Sequence, residues 1–269
     1  MTTRIKPTAG QVAAVLRHYG IAEHRAAAAV FGAENATYII KTGRKTFVLR
    51  IYPPGKKTAQ AIQTEIDFTE FVRERLKITP RIMPNESGSH ITQAPMGQGS
   101  WSCILMEFVR GEHPTSYTPE LIQQMAVIQA KLHILGIEFA KTHAVPTAPL
   151  NKHSAPQLAS HYGRKKGFRR AWLSRLPLGY NHFDYYGSNI LLRDNQVKAV
   201  IDFDDAHLGP AVGCLATTMG LIAKSEGTTR RLRSYLGAYA TIRPLSRLET
   251  VTLKAILVTK FGLIGTFWL

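Results

Sequence analysis

The run Asn181-His182-Phe183-Asp184-Tyr185-Tyr186-Gly187-Ser188-Asn189 and the apolar Ile190-Leu191-Leu192 behind it constrain this 269-residue chain more than any other stretch. An Asp and an Asn lie five residues apart in a polar loop that turns at once into a strand. Arg193-Asp194-Asn195-Gln196 has turn chemistry, and Val200-Ile201-Asp202-Phe203-Asp204-Asp205 reads as a β-branched strand that delivers a second carboxylate. Loop, strand, turn and strand therefore follow one another, and Asp184, Asn189 and Asp202 are expected at one end of a hairpin. A carboxylate that accepts a hydroxyl proton, with an amide and a second carboxylate that hold a divalent cation on a triphosphate, is what metal-dependent phosphoryl transfer needs.

The same residues resemble the aminoglycoside phosphotransferase and choline kinase superfamily. Its signature is a His-x-Asp-x-x-x-x-Asn loop followed by Ile-Asp-Phe or Ile-Asp-Trp, matched here from His182 to Asn189 and from Ile201 to Phe203. The resemblance implies an α+β, two-lobed, protein-kinase-like fold. Residues 1–106 would form a small antiparallel-sheet, nucleotide-binding lobe with one long helix. Residues 107–269 would form a larger, mainly helical lobe that carries the catalytic hairpin and binds the acceptor. The implied activity is transfer of the γ-phosphate of ATP, with Mg²⁺, to a hydroxyl of a small molecule such as a homoserine-like amino alcohol, an antibiotic or a sugar. Asp184 would be the base, and Asn189 and Asp202 the metal ligands. His182 would support the loop backbone.

In the first lobe, residues 11–19 have an amphipathic helical pattern with Val12, Val15 and Leu16 on one side, and Gly20 is placed to stop the helix. Three strand patterns follow, at 25–31, 36–41 and 45–52. The turn that includes Asn35 would cover the nucleotide phosphates, and residues 32–38 are similar to the corresponding loop of type II homoserine kinases. Arg50 stands where a protein kinase carries its strand lysine, and guanidinium serves a phosphate bidentately. Its expected partner is Glu65, in a helical run over 58–77 with Ala61, Ile62, Ile66, Phe68, Thr69 and Val72 on the buried side. Glu70 is the competing carboxylate.

The strand 101–111 resembles the interlobe hinge of the family, where Met106 would line the adenine pocket and Glu107 and Val109 would act through backbone C=O and N–H. Residues 119–139 have apolar positions near helical spacing, and His133 within them is read as structural. A Pro-rich stretch over 142–156 leads to a basic segment and Trp172. Past the metal motif, 207–216 follows the family pattern of a Gly-Pro segment leading into a helix, with one departure. Cys214 stands where relatives usually place an Asp whose carboxylate braces the catalytic loop, so a looser or differently held loop is expected. The apolar tail over 255–269 is read as a core helix.

A content of 45% apolar residues supports a substantial core, and Cys103 and Cys214 alone make no disulfide framework or zinc cluster. No stretch reaches the ~20 apolar residues of a membrane span, so a cytoplasmic location is expected. The net charge of +16, from 34 basic and 18 acidic residues, points to anionic partners through a basic face. Two clusters carry it, at 163–170 and at Arg230-Arg231-Leu232-Arg233. Nucleic-acid binding is not expected, because no recognised module or regular aromatic interleaving accompanies them. Two further readings compete with small-molecule transfer: a protein Ser/Thr kinase of the same fold, and a catalytically weak pseudokinase that binds nucleotide.

Overall fold

A computed structural model describes residues 7–31, 35–43, 45–95, 99–146, 175–226 and 229–263. The expected turn over 32–34, most of the Pro-rich stretch, the basic segment over 163–170, Trp172 and the end of the tail lie outside the described residues. The chain forms two compact units, Met1–Glu74 with Thr79–Val109, and Arg75–Ile78 with Arg110–Leu269. Antiparallel sheets and helices mix in the α+β manner that the motifs imply.

The first unit begins with helix α1 (Ala9–Arg17), which opens on a capping box between Thr8 and Gln11. Strands β1 (Arg25–Phe31), β2 (Ala36–Lys41), β3 (Thr46–Tyr52), β4 (Ile82–Met83), β5 (Thr92–Pro95) and β6 (Ser100–Glu107) form one antiparallel sheet of order β1-β2-β3-β6-β4, with β5 also paired to β6. Alternation along β3 sorts its side chains between two cores. Phe47, Leu49 and Ile51 pack with Val12, Val15 and Leu16 of α1 and with Trp101, Cys103 and Leu105 of β6. Tyr52 packs on the other side, with Ile104 and with Ile62 and Ile66 of helix α2 (Ala59–Leu76). Arg50 shares the parity of Tyr52, so it leaves β3 on the side that α2 covers.

The second unit is built on the 24-residue helix α3 (Pro119–Thr142), whose N-cap Thr118 accepts from Leu121 N–H. Its neighbours include β7 (Leu178–Asn181), β9 (Gln196–Val200) and α5 (Thr229–Ile242). Gly136 of α3 meets Gly179 of β7 at a backbone approach so close that a Cβ on Gly136 would collide with the Tyr180 carbonyl oxygen. β7 pairs with β10 (His207–Pro210), which leads directly into α4 (Ala211–Glu226). Helix α6 (Arg247–Phe261) packs on α4 and carries much of the apolar tail. Leu253, Ile256 and Leu257 on it are buried.

Candidate active site

The catalytic motif folds as a hairpin of β8 (Ile190–Arg193) and β9, joined by Asp194 and Asn195 with φ of 54° and 57°. Both turn residues are thus left-handed, as a two-residue type I′ turn requires, and Asn and Asp tolerate that conformation well. Pairing of Ile190 with Val200 sets the register, and the Ile201 N–H donates to the Asn189 carbonyl at 2.9 Å. Asn189 enters the hairpin and Asp202 leaves it, side by side at the open end. The Val200 N–H donates to the Ile78 carbonyl at 2.7 Å and anchors that end.

Asp184 and Asn189 meet directly. The Asn189 Nδ2 donates to both the backbone carbonyl and Oδ2 of Asp184, each at 2.8 Å. The Asn189 side chain is therefore turned with its nitrogen toward the loop, and its amide oxygen is presented away from Asp184. His182 is 3% exposed, with Nε2 2.9 Å from the Ile201 carbonyl and Nδ1 3.3 Å from the Asp184 N–H. A neutral ring satisfies both contacts, with Nε2–H donating and Nδ1 accepting. Burial lowers its pKa from the ordinary value of 6.5, against the opposing pull of the Ile201 carbonyl, Asp202 and Asp184. The ring stitches the loop to the segment after β9 that carries Asp202.

Besides the two turn residues, Phe183 at φ 57° and Asp202 at φ 64° are left-handed without being glycine. Asp reaches this region at modest cost, whereas for a bulky aromatic it is a true outlier that its surroundings must hold. The Phe183 ring stacks on His207 with centroids 3.8 Å apart and planes 12° from parallel. Beneath it, a Cβ on Gly209 would lie 2.7 Å from the Phe183 ring, which is why residue 209 carries no side chain. The Phe183 N–H donates to the Cys214 Sγ at 3.3 Å. Cys214 thus occupies the bracing position even as a thiol. Burial pushes its pKa up to about 12, so it stays protonated.

Other side chains hold the loop as well, and the sequence reading missed them. The Thr218 hydroxyl donates to the Tyr185 carbonyl at 2.9 Å, and the Tyr185 hydroxyl donates to the Met125 carbonyl at 3.0 Å. The Gly187 N–H donates to the Tyr117 hydroxyl at 2.9 Å. Polar residues at core positions were the available signal. Gln129 falls four residues after Met125 and three before Leu132, so the helical period buries it.

In the first unit, Glu65 is 3% exposed and accepts from three groups: Arg50 Nη1 at 3.4 Å, the Tyr52 hydroxyl at 3.2 Å and Lys57 Nζ at 2.5 Å. Arg50 and Glu65 are brought together as their positions suggest. Glu70 goes elsewhere, to Arg73 and to the Ile82 N–H. Lys57 was not foreseen, since Pro53-Pro54-Gly55-Lys56-Lys57 reads as an exposed turn. Asn35 begins the β2 side of the phosphate-loop candidate and is half-buried. Met106 and Val109 are half-buried and Glu107 is exposed. The Glu107 N–H is taken by the Arg81 carbonyl at 2.9 Å.

A cavity of about 900 Å³ in the second unit, lined in part by Arg110, Glu112, His113 and Glu120, includes Arg193 to Gln196 of the hairpin turn. That is the closed end, opposite to Asn189 and Asp202. Among the described residues, no helix is long and apolar enough to cross a membrane.

Residues 25–245 match the model of a phosphotransferase enzyme family. A homoserine kinase of Acidiphilium cryptum (strain JF-5) is 24% identical over 242 residues, covering 82% of this chain and 73% of that protein. Among solved structures, a microcompartment-associated aminopropanol kinase superposes with a TM-score of 0.71 at 20% identity, covering 93% of this chain and 85% of that one. The amicoumacin kinase hAmiN, in complex with AMP-PNP, Ca²⁺ and Ami, superposes with a TM-score of 0.72 at 15% identity, covering 93% of this chain and 81% of that one. With the match spanning most of its length, and with a catalytic hairpin built as the motif demands, the chain belongs to the phosphotransferase enzyme family and has its kinase-like fold.

Proposed function

We propose that this enzyme transfers the γ-phosphate of ATP to the hydroxyl of a small amino alcohol, with Asp184 as the base. The observation that carries the reading is the double hydrogen bond from Asn189 to Asp184. It ties Asn189 to the Asp184 carboxylate, and the Asn189 amide oxygen and the Asp202 carboxylate are hard oxygen donors carried at one end of the hairpin. Such a donor set suits Mg²⁺, which when bound neutralises charge on the β- and γ-phosphates. Asp184 orients the acceptor hydroxyl and takes its proton as the oxygen bonds to γ-phosphorus and the bond to the β-phosphate oxygen breaks, releasing ADP. In the first unit, Arg50 held by Glu65 binds phosphate, Asn35 belongs to the loop over it, and Met106, Glu107 and Val109 form the adenine contact.

Support for the acceptor class comes from the relatives. A homoserine kinase and an aminopropanol kinase share a hydroxyl and an amine on a short carbon chain as the feature of the compounds they are named for. The chain's positive charge gives polycationic aminoglycosides no general attraction. The reading places the enzyme in the cytoplasm, where ATP is supplied. Its test is transfer of label from γ-labelled ATP, with Mg²⁺, to a panel of homoserine, 1-amino-2-propanol, ethanolamine, choline, a sugar, a macrolide and an aminoglycoside. Label on an amino alcohol is the expected result. Label confined to protein Ser or Thr in a lysate, or to no acceptor at all, would overturn it.

A further inference from the structure

Six buried residues of the second unit form one hydrogen-bonded chain around the catalytic loop. It begins at the Phe183 N–H, which donates to Cys214 Sγ at 3.3 Å. The Gln129 amide Nε2 reaches the same sulfur at 3.6 Å and donates to the Thr218 hydroxyl at 2.7 Å. Thr218 donates in turn to the Tyr185 carbonyl at 2.9 Å. The Tyr235 hydroxyl donates to the Gln129 Oε1 at 2.8 Å. Cys214, Gln129 and Thr218 are each 1% exposed, and Tyr235 is fully buried. The chain therefore runs from the peptide N–H on one side of Asp184 to the peptide carbonyl on the other.

The Thr218 hydroxyl lies 2.9 Å from the Tyr185 carbonyl and 3.3 Å from the Cys214 carbonyl, and the shorter contact sets the polarity of the chain. The Tyr185 carbonyl needs a donor, and the Thr218 hydroxyl has a single proton to give. Thr218 must then accept from Gln129, which turns the amide nitrogen toward Thr218 and Cys214 and leaves its oxygen for Tyr235. Because these residues are buried, each bond lost leaves a buried polar group without that partner.

We infer that Thr218 and Gln129, acting with Cys214, are positioning residues that clamp the Phe183 N–H and the Tyr185 carbonyl on either side of Asp184 and so set where its carboxylate stands. This rests on the proposed role of Asp184 as the base. A thiol alone is a weak acceptor for the Phe183 N–H, and that residue is held at a left-handed φ of 57°. The clamp gives the loop a second hold, at Tyr185, that does not pass through the thiol. Its side chains are buried beneath the loop, so its loss is expected to act on the chemical step and to leave nucleotide binding in place.

The test is Thr218→Val, which keeps the side-chain shape and removes the hydroxyl, beside Thr218→Ser, which restores it. Two readouts are taken. The first is kcat and KM for Mg·ATP with whichever acceptor the parent enzyme phosphorylates. The valine variant should lose about tenfold in kcat, the effect of one buried hydrogen bond felt in the transition state, with KM for Mg·ATP within about twofold of the parent. The serine variant should recover to within about twofold of the parent kcat. The second readout is amide hydrogen exchange of the peptide over 181–189, which needs no substrate. It should quicken about tenfold in Thr218→Val while peptides of α5 and of the first unit keep their rates.

An unchanged kcat and unchanged exchange would overturn the inference. So would a serine variant as slow as the valine one, or exchange that rises equally throughout the unit. If the parent enzyme transfers phosphate to no acceptor, the proposed function fails while the exchange readout still decides the clamp. Should Thr218→Val not fold, Tyr235→Phe carries the test, since it removes only the outermost hydroxyl. Exchange over 181–189 should then rise about threefold with other peptides unaffected, and no change there would overturn the clamp.

Discussion

Replacing Glu65 by Ala should cost this protein several kcal/mol, because one buried carboxylate serves two cations and a phenol. Its side chain is 4% exposed, that of Arg50 9% and that of Lys57 16%. Removing one partner of a buried pair leaves charge without compensation and costs roughly 3–5 kcal/mol. Here the lower end applies, since Lys57 sits nearest to water and can swing outward, while Arg50 lies deeper on β3. The Tyr52 hydroxyl loses its acceptor too, worth about 1 kcal/mol. A net loss of about 3 kcal/mol would lower Tm by roughly 6–12 °C for a chain of this size. Glu65→Gln keeps an oxygen for Tyr52 and should lose about half as much. Arg50→Met and Glu65→Ala remove the two ends of one ion pair, so the double variant should be more stable than the sum of the single losses by at least about 1 kcal/mol. Urea unfolding of the four proteins measures this directly. In Glu65→Ala KM for Mg·ATP should rise about tenfold, as Arg50 loses the group that aims it. A Glu65→Ala protein within about 1 °C of the parent, or strictly additive losses, would refute the reasoning.

Two further expectations come from burial. Desolvation holds His133 well below its ordinary pKa of 6.5, helped by Arg243 and His182, and lowers His182 likewise. Unfolded imidazoles take up protons as pH falls through 6.5 while these two do not, so their contribution is complete above 6.5 and is lost toward lower pH. Stability should fall below pH 6.5 by up to about 1.4 kcal/mol per unit for each histidine, and a flat urea midpoint between pH 7.5 and 5.5 would contradict this. Cys103 and Cys214 are both buried, and burial lifts each thiol to about 12. Neither should react with a disulfide reagent at pH 8 in the folded protein, and both should react at once in denaturant. Rapid release of one equivalent from native protein would show that one of these sites opens.

The catalytic hairpin was legible because its signal is local. A polar loop, an apolar strand and an Asp-Asn turn follow one another in the sequence, and the structure forms the hairpin. Its second strand, however, is Gln196–Val200 and ends where the strand expected over 200–205 was to begin, leaving Asp202 just beyond it. The three strands at Arg25–Phe31, Ala36–Lys41 and Thr46–Tyr52 and the helix α2 were legible from periodicity in the same way. The choice of Glu65 over Glu70 needed the α2 face that points at β3, which the family pattern supplied and local spacing did not. Lys57 was hidden because a lysine after Pro-Pro-Gly looks solvated until the fold closes over its carboxylate. Cys214 taught a different lesson. Its identity pointed to a weakened brace, while the compensating hydroxyl of Thr218 lies one helical turn further on and the amide of Gln129 lies 85 residues earlier in the chain. Networks assembled from distant helices leave no period in a sequence, only a polar residue where the pattern calls for an apolar one.

The assignment of Asp184 as the base is tested most directly by Asp184→Asn, measured side by side for Mg·ATP binding by calorimetry and for phosphate transfer to the parent's acceptor. The asparagine keeps the size of the side chain and an oxygen for the Asn189 amide, so the loop should hold its shape. Nucleotide affinity should stay within about threefold of the parent while transfer falls at least a hundredfold, the share that a positioned general base supplies. Transfer at the parent rate by the Asp184→Asn protein would contradict the account.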